Sequence, residues 1–110
     1  MLTVSLHKIE LHALVGLYEE EQIHGNNFEI DVDLFLPDSV PFPFCDYTLI
    51  NDIVIRVFKK PEFLIETCLL EIHSELKIQF PVCEKIRVII RKLRPPMPGK
   101  VAYAQVCYEK

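Results

Sequence analysis

A lysine at the junction between a strand and a proline-rich turn is the residue of this sequence best placed for chemistry. Lys92 follows the segment Ile86–Ile90, whose β-branched residues predict a strand. The segment Pro95–Gly99 comes next, and its prolines have a fixed φ that cannot continue a strand. A side chain at such a junction combines a rigid support with access from solvent. Lys92 is therefore the leading catalytic candidate, although the position also suits a solvated strand-end lysine.

Three further residues are candidates for a site that contains Lys92. Glu21 lies in a long polar connection, Tyr47 in the first turn of a predicted helix, and Glu66 near the start of a second helix. Each also has a structural interpretation: Glu21 belongs to a run of three glutamates, and an acidic residue such as Glu66 favours a helix N-terminus. Tyr47 suits packing as well as function. These placements taken singly do not decide between chemistry and structure.

The first half of the chain predicts two strands. Hydrophobic residues alternate along 2–11 with a shift of phase after Leu6, which predicts a strand with a β-bulge. Hydrophobic and mostly acidic residues alternate along 28–36, which predicts a second strand with one buried face. The connection between Gly16 and Gly25 is too long for a tight hairpin and is predicted to be a functional loop.

The second half predicts two helices followed by two strands. Asp46 is a good cap for a helix that ends near Lys59, and a second helix is predicted over residues 62–79. Strands are predicted over 85–93 and 101–108, joined by the proline-rich turn. The predicted order is β-β-α-α-β-β.

This order predicts an α+β domain that spans residues 1–110. Four strands form one antiparallel sheet, and the two helices cover one of its faces. The sheet has two exposed edges and its strands are long and rich in Val and Ile, so unshielded edges favour pairing with other copies of the chain. Self-assembly is therefore expected.

Composition excludes several classes of function. The chain has 110 residues, is 50% hydrophobic and carries a net charge of −4, which argues against broad nucleic-acid binding because that normally requires a basic surface. No hydrophobic run approaches the roughly 20 residues that span a bilayer. The charged residues Lys8 and Glu10 interrupt any signal-peptide pattern, so a cytoplasmic protein without membrane contact is expected.

The cysteines and histidines form no metal-binding motif. Four cysteines are widely spaced, and no two of the four histidines have the spacing of a zinc site. The cysteines are Cys45, Cys68, Cys83 and Cys107. They are expected to be reduced and mostly buried, and the mechanism is expected to need no metal.

Taken together, five segments resemble dihydroneopterin aldolase, a pterin enzyme family with the tunnelling fold. Lys92–Gly99 matches the Lys-x-x-x-Pro-x-Pro-Gly turn of that family and is the most specific of the five. The others are similar to its Gly-x-x-x-x-Glu loop, its second strand, its tyrosine-led first helix and its Leu-Leu-Glu segment. They are, in that order, Val15–Glu21, Phe28–Leu34, Tyr47–Ile50 and Leu64–Glu66.

The resemblance implies an aldolase that cleaves 7,8-dihydroneopterin without a cofactor. It implies that Glu66 holds the pterin, that Lys92 is the general acid/base, and that Tyr47 and Glu21 complete the catalytic group. The other residues that it implies to contact the substrate are Ile65, Asp46 and Cys45. A carboxylate such as Glu66 can accept both parallel N–H donors of a pterin, which gives this assignment a physical basis.

The resemblance also implies a homo-oligomer of stacked rings, in all an octamer, with sites at the subunit interfaces. Tyr47 and the residues before it would face Glu66 and Lys92 of a neighbouring copy. The chain departs from the family between Leu36 and Tyr47, where it is several residues shorter and carries Pro41–Cys45.

Two alternatives stay open at this point. A dihydroneopterin or dihydroneopterin triphosphate 2'-epimerase would break the same bond, and Arg91, Arg94 and Lys100 near the turn could attract a triphosphate. A non-catalytic assembly module of the same fold is the other alternative. The joint presence of all four catalytic candidates favours an enzyme.

Overall fold

The computed structural model describes residues 1–110 and confirms the predicted order of strands and long helices. The four strands are β1 (Leu2–Ala13), β2 (Asn26–Leu36), β3 (Lys85–Leu93) and β4 (Tyr103–Glu109). The three helices are α1 (Glu19–His24), α2 (Tyr47–Phe58) and α3 (Ile65–Gln79). The long helices correspond to the two that the sequence predicts, and α1 is an additional short element.

The four strands form one antiparallel sheet in the order β1-β2-β3-β4. The register of β1 against β2 shifts between Leu6 and Ile9, which confirms the predicted bulge. In the β2–β3 pair, Phe28 lies opposite Lys92. This pairing fixes Lys92 at the end of the sheet where α1 leads into β2.

A cluster of 22 buried residues fills the space between the sheet and the two long helices. Helix α2 contacts β1, and α3 contacts β3 and β4. The hydrophobic residues of β2 that face this core are fully buried, as the alternation in the sequence predicts. They are Phe28, Ile30, Val32, Leu34 and Leu36. The α+β fold with helices on one face is therefore confirmed, whereas assembly into rings stays a prediction.

The opposite face of the sheet is covered by ion pairs instead of helices. Asp33 lies 2.9 Å from Nη2 of Arg87, and Asp31 lies 2.9 Å from Nη2 of Arg91. Both aspartates are buried, although they lie on the face of β2 that the helices do not cover. Burial alone would raise the pKa of Asp31, but hydrogen bonds from the Lys8 backbone N–H and from Arg91 lower it overall.

Three boundaries differ from the sequence prediction. The polar connection before β2 contains α1, and α3 begins at Ile65 instead of at residue 62. Glu62 forms a parallel bridge with Val15, so its backbone is committed to a tertiary contact. Strand β4 begins at Tyr103, because the turn extends further than its prolines indicate. No helix is both long enough and apolar enough to cross a bilayer.

Candidate active site

Lys92 and Glu21 form a close ion pair in the interior of the fold. Nζ of Lys92 lies 2.7 Å from Oε2 of Glu21, and their side chains are only 15% and 5% exposed. Lys92 comes from β3 and Glu21 from the short helix α1, so the pair joins segments that are distant in sequence. Glu19 and Glu20 of the same charge run are exposed. Glu21 is thus the one buried member of that run.

Local backbone contacts explain why Glu21 turns inward. The carbonyl of Tyr18 accepts hydrogen bonds from the backbone N–H groups of Glu21 and Gln22, at 3.0 and 3.1 Å, and these begin the helix. Oε1 of Glu21 in turn accepts from the Tyr18 backbone N–H at 3.1 Å. Gly16 provides the space, because a Cβ at that position would lie 2.5 Å from Cδ of Glu21.

The segment after β1 is tied to the segment before α3. The backbone N–H of Gly16 donates to the carbonyl of Glu62 at 2.9 Å. The side-chain amide of Gln22 donates to the carbonyls of both residues, at 2.5 Å to Gly16 and 2.9 Å to Glu62. These contacts bring α1 to the beginning of α3. They therefore bring Glu21 close to the first helical turn of α3, which contains Glu66.

Glu21 is held in its ionised form. Burial would raise the pKa of its carboxyl, but hydrogen bonds from Lys92, from the Tyr18 backbone N–H and from the Asn26 amide outweigh burial. The pKa of Glu21 is consequently lowered. The pair therefore presents an ionised carboxylate to the amine of Lys92 at neutral pH.

A cavity of about 280 Å³ opens at this ion pair. Glu21, Lys92 and Glu66 all line it, as does Ile65. Its other walls are mainly apolar and come from the segment before α1, from the turn before α3 and from the proline-rich turn. They include Leu17, Phe63, Leu64, Pro95 and Met97. One chain thus brings an amine and two carboxylates to a common recess.

A larger, open cavity of about 610 Å³ is lined mainly by α1 and the residues next to it. It shares Glu21 with the first cavity and is also lined by Asn26 and Arg94, but neither Lys92 nor Glu66 reaches it. The smaller cavity is the better candidate for a reaction, because the amine and both carboxylates converge only there.

The remaining candidates lie at the beginning of α2, and none of them lines the cavity. Tyr47 is 56% exposed. Asp46 caps α2 by accepting from the backbone N–H of Thr48 at 3.0 Å and from its hydroxyl at 2.7 Å. The side chain of Cys45 is buried against that of Cys83, and burial raises the pKa of both thiols, that of Cys83 to about 11.

Two residues behave differently from what the sequence indicates. Asn26, which was not a candidate, donates from its amide to Oε2 of Glu21 at 2.7 Å. Its position after Gly25 resembles an ordinary turn, so no local signal identifies it. Arg91, a candidate for attracting a triphosphate, instead pairs with Glu29 and Asp31 on the opposite face of the sheet.

No group of three or more His, Cys, Asp or Glu side chains is arranged to hold a metal ion. Three of the four cysteines are buried, and Cys107 is exposed.

Two sequence comparisons bear on the family. The family model described as dihydroneopterin aldolase matches residues 4–109, which is nearly the whole chain. No curated protein sequence matches the chain.

Solved structures with the same fold include two dihydroneopterin aldolases. The Escherichia coli enzyme, in complex with neopterin, has a TM-score of 0.85 and 19% identity, with 100% of this chain and 99% of that chain covered. The enzyme from Burkholderia thailendensis, bound to guanine, has a TM-score of 0.75 and 20% identity, with 99% and 89% covered. Urate oxidase from a Bacillus species has a TM-score of 0.61 and 14% identity, with 97% of this chain and 45% of that chain covered.

Proposed function

The chain belongs to the dihydroneopterin aldolase family, and we propose that it cleaves 7,8-dihydroneopterin into 6-hydroxymethyl-7,8-dihydropterin and glycolaldehyde. The reaction is a retro-aldol step of folate biosynthesis. One observation carries the proposal: the Lys92–Glu21 ion pair and Glu66 line the same cavity. A heterocycle held by Glu66 would present its side chain to the amine of Lys92.

Glu66 is assigned to the pterin ring. A pterin offers its 2-amino group and the adjacent ring N–H as two parallel donors, and one carboxylate can accept both in a charge-assisted, bidentate arrangement. Glu66 lies in the first turn of α3, where acidic side chains are commonly found beside the positive end of the helix dipole. Ile65 lines the cavity beside it and would contact the edge of the ring.

Lys92 is assigned to proton transfer. The dihydropterin ring contains a C6=N5 imine next to the side chain, and this imine accepts the electron pair when the C1'–C2' bond breaks. A base must take the proton of the 2'-hydroxyl, and an acid must return one proton, which first supports the charge at N5 and finally reaches the enamine carbon C1'. Lys92, paired with the carboxylate of Glu21, can take part in both transfers, directly or through water. This chemistry requires neither a Schiff base nor a cofactor.

Tyr47, Asp46 and Cys45 are assigned to the site of a neighbouring copy. They lie outside the cavity of their own chain, and Tyr47 is exposed at the start of α2. In the proposed octamer, Tyr47 would orient the hydroxyl groups of the substrate and deliver the final proton. Since the Cys45 side chain is buried, only its main chain is left to face the ligand. The proposal places this homo-oligomer in the cytoplasm.

Product analysis tests the proposed function. The protein is incubated with 7,8-dihydroneopterin, and both products are measured by chromatography and mass determination, with Lys92→Ala as the inactive control. Equal amounts of glycolaldehyde and 6-hydroxymethyl-7,8-dihydropterin are expected. Formation of the 2'-epimer without glycolaldehyde would identify an epimerase instead, and recovery of unchanged substrate would indicate an assembly module.

A further inference from the structure

Asn26 connects the carboxylate of Glu21 to the main chain next to β1. Its amide nitrogen lies 2.7 Å from Oε2 of Glu21 and 3.0 Å from the carbonyl oxygen of Val15. An amide group has two N–H bonds, so both hydrogen bonds can form at the same time. We propose that Asn26 is a positioning residue for the reaction, which holds Oε2 of Glu21 against the amine of Lys92.

The orientation of the Asn26 side chain is fixed by its partners. The Val15 carbonyl and the Glu21 carboxylate are both acceptors, so the amide nitrogen must face them. A flipped amide would place its oxygen against two other oxygens, so the Val15 carbonyl would lose this donor and Oε2 of Glu21 would keep only Lys92. Asn26 therefore has a single favourable orientation, as a positioning residue requires.

Asn26 and Lys92 contact the same oxygen of Glu21. Nζ of Lys92 lies 2.7 Å from Oε2, and the Tyr18 backbone N–H occupies Oε1 at 3.1 Å. Donors on both oxygens prevent rotation of the carboxylate, so its geometry toward Lys92 is set before a substrate enters. Asn26 itself does not line the cavity that holds Lys92 and Glu66, so it acts through Glu21 and not on the substrate.

The hydrogen bond from Asn26 also has an electrostatic consequence. A donor to an ionised carboxylate stabilises the charged form, and the Asn26 amide is one of the groups that lower the pKa of Glu21. Loss of this donor should raise the pKa of Glu21 and loosen its contact with Lys92. Both changes would alter proton transfer more than binding of the pterin.

Two substitutions of similar size test the proposal. Asn26→Leu removes the donor without adding charge, and Asn26→Asp removes it and adds a negative charge. Asn51→Ala, on α2 and away from the cavity, is the control. The primary measurement is the pH titration of the Glu21 carboxyl carbon by ¹³C NMR, assigned with Glu21→Gln. We expect Glu21 to titrate at higher pH in both variants, and more so in Asn26→Asp.

The kinetic consequence depends on the proposed function. We expect kcat to fall by about tenfold or more in both variants while KM changes by less than about threefold. The acidic limb of the pH profile of kcat should move in the same direction as the Glu21 titration. If Asn26 had only a structural role, the two substitutions would lower the melting temperature but leave the Glu21 titration and the acidic limb of the kcat profile unchanged. That result would overturn the proposal.

The two proposals can fail separately. The NMR titration needs no turnover, so it decides the role of Asn26 toward Glu21 even if the parent protein releases no glycolaldehyde. Conversely, the parent protein can be active while Glu21 titrates at the same pH in the parent as in folded Asn26→Leu or Asn26→Asp. That result would support the proposed function and refute the role of Asn26.

Discussion

Gly16 faces the side chain of Glu21 so closely that a Cβ on Gly16 would lie 2.5 Å from both Cβ and Cδ of Glu21. No side chain can be added at Gly16 unless Glu21 moves. Position 16 therefore requires glycine, because the side chain of Glu21 lies too close to its backbone for a Cβ atom to fit.

Gly16→Ala should displace Glu21 from Lys92. We expect a loss of about 1–3 kcal/mol in the free energy of unfolding, as for overpacking, together with a fall of about tenfold or more in kcat. Urea titration and initial rates measure the two effects. Gly99→Ala is the comparison, because a Cβ at Gly99 meets nothing within 4 Å and its cost comes only from φ of +87°. Equal kinetic losses in the two variants would contradict this account of Gly16.

Lys92→Met should destabilise the fold more than the same change at another lysine of β3. Removing Lys92 leaves the buried carboxylate of Glu21 without its charged partner, which costs about 3 kcal/mol. Lys85 pairs with Glu109 at 3.3 Å, but these side chains are 44% and 48% exposed, so Lys85→Met should cost at most about 1 kcal/mol. Urea unfolding compares the two variants.

The double variant Lys92→Met with Glu21→Gln separates charge from packing. Because a neutral amide replaces the unpaired carboxylate, the double variant should be more stable than Lys92→Met alone. A double variant that is no more stable than Lys92→Met would mean that the loss comes from packing of the lysine stem.

The regular parts of the fold were predictable because they depend on local periodicity. Strand β2 alternates over its length and α2 has a clear cap in Asp46, so both appear in the sequence. Helix α1 has six residues, five of them polar, and its preceding residue Tyr18 is not a standard cap, so no helical period is visible. Its position depends on tertiary hydrogen bonds to Gly16 and Glu62, which a local pattern does not encode.

The candidate site was predictable in part for the same reason. Lys92 and Glu66 lie at the ends of predictable elements, and the structure places both at one cavity. The burial of Glu21 depends on a long-range contact with Lys92 and on a contact with Asn26 that has no sequence signal. From the sequence, Glu21 could therefore be either a member of a charge run or a site residue. The contribution of Tyr47 from another chain stays a prediction.

Glu66→Ala should weaken binding of the pterin with little effect on folding. Loss of a bidentate, charge-assisted contact should raise the dissociation constant of neopterin by about a hundredfold. Calorimetric titration of parent and variant measures the change. Glu71→Ala is the matched control on α3, since Glu71 pairs with Lys60 at the surface and lies outside the cavity. If both variants bound neopterin as the parent does, Glu66 would not be the pterin anchor.

His12 should contribute to stability in a pH-dependent manner. Its Nδ1 lies 2.8 Å from Oδ1 of Asn27 and its Nε2 lies 2.8 Å from the carbonyl oxygen of His24, at the end of α1. Only the imidazolium can donate to both, and these bonds raise the pKa of His12. Its contribution is therefore fully present below the unfolded-state pKa of about 6.5 and is lost as the pH rises through the raised folded-state value.

The variant His12→Ala tests this dependence. The difference in unfolding free energy between parent and variant should be larger at about pH 5.5 than at about pH 8.5. Urea titration at both pH values measures it, and Asn27→Ala should show a smaller dependence of the same sign. A difference between parent and His12→Ala that does not change with pH would contradict protonation as the cause.

Two inactive variants should restore activity to each other if the site is shared between copies. Lys92→Ala chains keep Tyr47, and Tyr47→Ala chains keep Lys92, so a mixed assembly can contain sites with both residues intact. When equal amounts are unfolded together and refolded, random mixing should complete about a quarter of the sites. Glycolaldehyde release should then approach that fraction of the parent rate. Refolding each variant alone is the control, and a mixture no more active than its components would mean that Tyr47 does not act across an interface.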